Sequence, residues 1–293
     1  MSTQPIELTD IPPIQLARRA RYLMCPPHFY DVNYVINPWM EGNLHRSSRE
    51  RAELQWRNLY RALTRLIDVE LIAPQSGLPD MVFTANAGLE RSGTVVLSRF
   101  YHQERQSEEQ CFRQWFQEAG YTVVELPTDV PFEGEGDALF SIDGSRLWVG
   151  YGRRTARESH RFLARALRVE VISLHLTDPR FYHLDTCFAP LDDGYVMYYP
   201  DAFDAASLEK IEEYYPLEKR ILVSEEDAIR FACNAIHVDG TVVLNCVSRE
   251  LTGRLESAGF RVVQIDLSEF IKAGGAAKCL VMNLATEKIS LNL

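Results

Sequence analysis

The residues able to do chemistry are scattered along the chain, and each sits in a short, distinctive run. Cys279 closes the run GGAAKC, which begins at Gly274. Small residues permit tight turns and close approach by a ligand, so a thiol at that position can be reached. It would attack as thiolate, a form that nearby positive charge favours. Taken alone, the same segment also fits one more buried core cysteine, the blander outcome. In FYHLDTC, His183, Asp185 and Cys187 alternate, which predicts a strand with all three on one face. Histidine can move a proton near neutral pH, and the carboxylate can bind a cationic substrate. The HxDxC pattern could be mistaken for a metal site. Zinc wants further ligands at recognisable spacing, however, and the chain has no HExxH or CxxC, so no metal is expected.

FEGEGD places Glu133, Glu135 and Asp137 within six residues. The plain expectation is an exposed acidic turn. The functional alternative is a carboxylate pocket for guanidinium, whose planar donors match carboxylate oxygens in a two-pronged geometry. The glycine patterns of nucleotide-binding loops are absent, and no cofactor is implied. Asn37 in YVINPWM, and Asp80 and Asn86 in PDMVFTANAG, complete the set of polar candidates.

Elements that could bring these residues together recur along the chain. Ser92-Gly93, Asp143-Gly144, Asp193-Gly194 and Asp239-Gly240 are hairpin-type dipeptides spaced 51, 50 and 46 residues apart. Each is followed by an apolar strand (TVVLSR, RLWVGYG, YVMYYP, TVVLNC), a helix-like stretch and a further strand (YTVVEL, VISLHL, RILVS, RVVQIDL). The unit is therefore strand, turn, strand, helix, strand, repeated four times in an α/β fold. The segment from Cys279 to Leu284 opens a fifth unit that the run at 21–27 and its following helix would complete, closing a ring through the two termini. Helices are predicted over residues 48–68 and 104–119, where large apolar residues define one face. In such a radial fold the strand ends and the loops after them converge near the axis.

Size and composition set the outer bounds. The chain has 293 residues, 33.6 kDa and 46% hydrophobic residues, enough for a large core, and it reads as one catalytic domain over 1–293. A net charge of -10 argues against wrapping a nucleic-acid backbone, leaving a small-molecule substrate as the expected partner. There is no apolar run long enough to cross a bilayer, and MSTQPIELTDIPP lacks the layout of a signal peptide, so a cytoplasmic protein without a membrane partner is expected. The six cysteines are dispersed, and most are expected to be buried free thiols. Homo-oligomerisation is left open, because surface patches cannot be located from sequence.

The ordered set MCPPHFYDVNYVINPWM, PDMVFTANAG, FEGEGD, FYHLDTCFAP and GGAAKCLVMNL resembles the amidinotransferase and arginine deiminase superfamily, which includes dimethylarginine hydrolases. Within it the match is best to the arginine dihydrolase (guanidine-hydrolase) domain of cyanobacterial bifunctional arginine-catabolic proteins, and the likeness covers nearly the whole chain. The resemblance implies a five-bladed, pseudo-symmetric α/β propeller (pentein) of ββαβ units. It implies Cys279 as covalent nucleophile, His183 as general acid and base, and Glu133 as the carboxylate that supports the histidine or contacts the guanidino group. Either Glu135 or Asp137 would supply the second carboxylate, with Asp185 a further one. Arg105 and Arg154 would meet the substrate carboxylate, and Asn37 would be another substrate contact.

Asn86 is the departure. Arginine deiminases have an FTRDP-like segment whose Asp grips the guanidinium, whereas this chain reads Phe83-Thr84-Ala85-Asn86. An amide both donates and accepts, so it could bind a neutral ureido group as well. By resemblance to the dihydrolase branch, arginine would then be carried through citrulline to ornithine, two ammonia and carbon dioxide, without a metal. The alternatives are an arginine deiminase or a dimethylarginine hydrolase that stops at citrulline, and a non-catalytic arginine-binding protein. Two-metal ureohydrolases are disfavoured because their DxHxD-type ligands are missing.

Overall fold

The tight turns explain the strand pairing. Ser92 and Gly93 have φ of 52° and 83°, and Asp239 and Gly240 have 45° and 68°. Two successive positive φ values define a hairpin turn whose twist matches its flanking strands. The computed structural model, which describes residues 20–284, contains five three-stranded sheets, and turns of this kind, Asp193-Gly194 among them, join the antiparallel strands of three. The N-terminal run MSTQPIELTDIPP, not expected to be a signal peptide, lies outside the described residues.

Four sheets are built alike. Gly88–Arg91 pairs antiparallel with Thr94–Leu97, the helix Glu108–Glu118 follows, and Thr122–Val124 returns parallel to the middle strand. The same order holds for Ala138–Phe140, Arg146–Tyr151, Ser159–Leu167 and Glu170–His175. It recurs in Phe188–Pro190, Val196–Tyr198, Ala205–Tyr214 and Arg220–Leu222, and again in Ile236–Val238, Thr241–Leu244, Arg249–Ser257 and Arg261–Gln264. In the fifth sheet the order is split between the chain ends. Met282–Leu284 pairs antiparallel with Arg21–Met24, which runs parallel to Asp68–Leu71 after the helix Arg49–Leu63. The middle strands are the most apolar because they are hydrogen-bonded on both sides and covered by helices.

The predicted helix over 48–68 starts where Ser48 caps Arg51 N and ends at Leu63, before Ile67 tucks its side chain into the core. Its buried face is Ala52, Gln55, Trp56, Leu59 and Leu63, whose apolar members follow the helical periodicity. The stretch predicted over 104–119 is two consecutive segments, Gln103–Gln106 and Glu108–Glu118, joined at Ser107. Around the junction Arg105, Glu108 and Glu109 are turned inward.

Short 3-10 turns precede the opening strands: Thr84–Ala87, Gly134–Gly136, Leu184–Thr186 and Lys278–Leu280. The third of these corrects the strand expected through His183, Asp185 and Cys187. Thr186 Oγ1 donates back to the His183 carbonyl at 2.6 Å, and Leu184 N donates to Asp137 Oδ1 at 3.1 Å. These local bonds take backbone groups away from a ladder, and the strand begins only at Phe188. Cys187 consequently packs in the core with Trp148 and Phe188, while Asp185 turns under Cys279.

Candidate active site

Cys279 sits in the Lys278–Leu280 turn, 3% exposed. Its Sγ–H donates to Asp185 Oδ2 at 3.3 Å, and its sulfur accepts from Asn234 Nδ2 at 3.0 Å. Burial, followed by the charge of Asp185, pushes the thiol well above its ordinary pKa. Asp185 is itself pushed up to about 7 by burial, against the opposing pull of Lys278. Burial and the Asp185 charge both favour the protonated thiol.

His183 presents Nε2 to Glu133 Oε2 at 2.7 Å. Glu133 is fully buried, and burial alone would raise its pKa, but the Arg154 guanidinium and the His183 ring outweigh that and hold the carboxyl well below its usual range. Arg154 Nη1 lies 3.1 Å from Glu133 Oε2, Nη2 donates to the Ile36 carbonyl at 2.8 Å, and the guanidinium stacks 4.7 Å from the Tyr182 ring centre. FEGEGD is thus no exposed turn, since Glu133, Glu135 and Asp137 are all buried.

The two candidates for a second carboxylate part company. Glu135 Oε2 accepts from Lys278 Nζ at 2.7 Å and from Asn283 N at 3.0 Å. Asp137 accepts from Thr155 Oγ1 at 2.7 Å and lies 3.9 Å from His183 Nε2, and burial pushes its pKa up to about 6.

These groups flank a narrow cavity lined by Asn37, Met40, Asp80, Phe83, Asn86, Arg105, Arg154, Tyr182, His183, the Ala273–Gly275 loop and Cys279. A larger hollow near Arg146, Trp148 and Tyr214 holds no cysteine or histidine, whereas the smaller one brings Cys279 and His183 together. Asp137 and Asp185, expected as substrate contacts, do not line the cavity and stand behind His183 and Cys279. Arg105 lines it but is heavily engaged. Its Nε and Nη2 fork onto Glu108 at 2.9 and 2.8 Å, Nη2 also reaches the Asp80 carbonyl at 3.1 Å, and Nη1 donates to Asn86 Oδ1 at 2.9 Å. Asn37 lines the cavity as a cap: its Oδ1 accepts from Trp39 N and Met40 N, and its Nδ2 donates to the Ala273 carbonyl. This ties the Pro38–Met40 turn to the glycine loop. Gly274 has φ of 86°, and a Cβ there would lie 2.6 Å from the Tyr182 hydroxyl, so the loop needs glycine.

Asp80 carries the clearest unmet demand. Oδ2 accepts from the Tyr34 hydroxyl at 3.0 Å, whereas Oδ1 is buried without a partner. A cationic donor entering the cavity would satisfy it. Asp185 Oδ1 is also unpartnered. Sequence reasoning named Asp80 without a role and missed Tyr34, Glu108, Tyr182, Asn234 and Lys278. Tyr34, Tyr182, Asn234 and Lys278 act across units, so no local spacing marks them, whereas Glu108 pairs with Arg105 at an i,i+3 spacing that the sequence does carry. Among the described residues no three His, Cys, Asp or Glu side chains converge on a metal-holding geometry.

A family profile described as N,N dimethylarginine dimethylhydrolase, eukaryotic, matches residues 32–286. The chain is 57% identical over 274 residues to the bifunctional arginine dihydrolase/ornithine cyclodeaminase ArgZ of Synechocystis sp., covering 94% of this chain but only 39% of that protein. It is 41% identical over 268 residues to the N(G),N(G)-dimethylarginine dimethylaminohydrolase of Mycobacterium tuberculosis, covering 91% of this chain and 86% of that one. Two solved structures of the ArgZ N-terminal domain, a cysteine-to-serine variant bound to substrate and an asparagine-to-serine variant covalently bonded to a reaction intermediate, each match with a TM-score of 0.90 at 57% identity. Each match covers 92% of this chain and 98% of the domain. The profile match over most of the chain and the 41% identical relative covered over most of its length show that the chain belongs to the dimethylarginine dimethylhydrolase family.

Proposed function

We propose that the chain hydrolyses L-arginine to L-ornithine, two ammonia and carbon dioxide through a covalent cysteine intermediate. The observation that carries this is the facing of Cys279 and His183 across one cavity that also presents the unpaired Asp80 oxygen and the amide of Asn86. The 57% identity to an arginine dihydrolase supports the choice of substrate. The chain spans about two fifths of that bifunctional relative's length, and only the dihydrolase half of its name is carried over.

The guanidinium would enter with its N–H groups toward Asp80. Its positive charge opposes the factors that keep Cys279 a thiol, and the thiol proton passes to Asp185, which titrates near 7. The thiolate adds to the guanidino carbon. The C–N bond breaks as His183, held by Glu133, gives its proton to the departing ammonia. His183 then removes a proton from water, which attacks the same carbon and displaces the sulfur, leaving citrulline. In a second round the thiolate attacks the ureido carbon, ammonia leaves again, and water releases ornithine carbamate, which loses carbon dioxide. Two water molecules are consumed in all. Arg154 anchors Glu133 and shapes the wall above it, while Asn37 positions the glycine loop.

The finer architecture belongs to the same reading: the five sheets close into a five-bladed propeller, with the split fifth unit as the closing blade, and residues 1–293 form one catalytic domain. The unpaired cysteines among the described residues support a reducing, cytoplasmic setting. No helix of the described residues is long and apolar enough to cross a membrane.

A second reading, hydrolysis of dimethylarginine to citrulline, is favoured by the family match. Incubation with arginine or dimethylarginine, with citrulline, ornithine, ammonia and dimethylamine quantified, separates the two. Two ammonia per ornithine from arginine is the expected result. Citrulline as the sole end product would reject dihydrolysis.

A further inference from the structure

Asn234 belongs to no motif in the chain, yet its side chain is the best-connected amide near the nucleophile. It is fully buried, in the loop that leads into Ile236–Val238. Its Oδ1 accepts from Ala276 N and Cys279 N, both at 3.1 Å. Its Nδ2 donates to the Asp185 carbonyl at 3.2 Å and to Cys279 Sγ at 3.0 Å. A carboxamide has two N–H groups and two acceptor positions, so all four are used. The Asn234 carbonyl also accepts from Lys278 N at 3.2 Å.

The position is equivalent to that of a residue already in the site. Asn86 stands two residues ahead of the strand Gly88–Arg91, and Asn234 stands two residues ahead of Ile236–Val238. The 3-10 turns of the other units carry Glu133, His183 and Cys279 at or beside their starts. The unit that opens with Ile236–Val238 would otherwise contribute nothing to this convergence.

The two partners of the sulfur have opposite effects. Asp185 accepts the proton of the neutral thiol, and as a carboxylate it opposes negative charge on the sulfur until that proton has moved to it. The Asn234 N–H does the reverse, because a hydrogen bond to a charged acceptor is stronger than one to a neutral one. We propose that Asn234 is the positioning residue of the nucleophile: it holds the Ala276–Cys279 turn through its carboxamide oxygen and aims one N–H at the sulfur, favouring the thiolate during turnover. This rests on Cys279 being the attacking group.

Aspartate is the most direct replacement to test. It keeps the shape and the oxygen of Asn234 but replaces the N–H at the sulfur with a carboxylate. Serine is smaller and retains a donor, so it keeps the question open if the charge prevents folding. The readout is the pH dependence of Cys279 alkylation by iodoacetamide in the purified chain, followed by peptide mass spectrometry, together with kcat and KM for arginine. The expected result for Asn234→Asp is an alkylation midpoint raised by about one to two pH units and a kcat lowered roughly ten-fold or more, with KM within about three-fold. Asn234→Ser should fall between it and the wild type. Alkylation profiles that coincide with the wild type in both folded variants overturn the proposal. The parent reading fails separately: full turnover by Cys279→Ala would remove the nucleophile, whatever Asn234 does to its thiol.

Discussion

Asn86 accepts a hydrogen bond from Arg105 Nη1 at 2.9 Å, and this contact fixes which end of the amide faces which neighbour. With the oxygen held by a guanidinium, Nδ2 must point the other way, where it donates to the Glu133 carbonyl at 3.1 Å. Gly136 leaves the room for this, since a Cβ there would lie 2.3 Å from Nδ2. One amide N–H stays uncommitted at the cavity wall. Arg105, expected as a contact of the substrate carboxylate, thus orients Asn86 from a buried pair with Glu108, whose carboxyl burial pushes up to about 7.

Replacing Asn86 with Asp tests whether that donor sustains the second hydrolysis. A carboxylate oxygen would then face the Glu133 carbonyl and could not donate to a ureido oxygen. The ratio of citrulline to ornithine during arginine turnover should rise by about ten-fold, corresponding to one lost hydrogen bond of roughly 1.4 kcal/mol in the second transition state. Time-resolved amino-acid analysis reads this directly, and an unchanged ratio would remove the donor argument.

Asp185 ties acid–base behaviour to stability. Its pKa is raised from an ordinary value near 4 to about 7 in the folded protein, so the folded state holds a proton that the unfolded state has released. The stability it contributes is fully present below about pH 4 and is lost as pH rises through about 7. Asp185→Asn should therefore be more stable relative to wild type at pH 8 than at pH 5, by roughly 1–3 kcal/mol, as read from urea midpoints at the two pH values. The same variant should lose most of its activity, because the thiol proton has nowhere to go. A stability difference that does not change with pH would show that Asp185 is already ionised in the folded chain.

Glu133→Gln separates support of the histidine from simple packing. The amide keeps the shape but removes the charge that faces both His183 and Arg154. A drop in kcat of about 100-fold is expected, from poorer stabilisation of the protonated ring. Leaving Arg154 buried without its counter-charge should also cost roughly 3 kcal/mol, measured by denaturant unfolding. Wild-type kcat in a destabilised variant would assign Glu133 to the framework alone.

Much of this protein is written locally in its chain. Turn dipeptides such as Ser92-Gly93 and Asp239-Gly240 permit the backbone that a hairpin requires, and the runs TVVLSR and TVVLNC supply strands buried on both faces, so the repeated unit is legible without coordinates. Cys279, His183 and Glu133 stand out for the same reason, each lying in a short run of unusual composition. What tertiary structure decided are the contacts that no run encodes. Asn234 and Cys279 are 45 residues apart and Asp185 and Cys279 are 94 apart, and only the packing of separate units brings them within hydrogen-bonding distance. The strand expected through His183 and Asp185 gave way to a 3-10 turn because Asp137, a residue of another unit, captures the Leu184 N–H. Glu135 and Asp137 are two residues apart in one turn, yet one meets Lys278 and the other lies beside His183. Their direction follows from burial, where each charge must find a partner, and the partners come from distant parts of the chain.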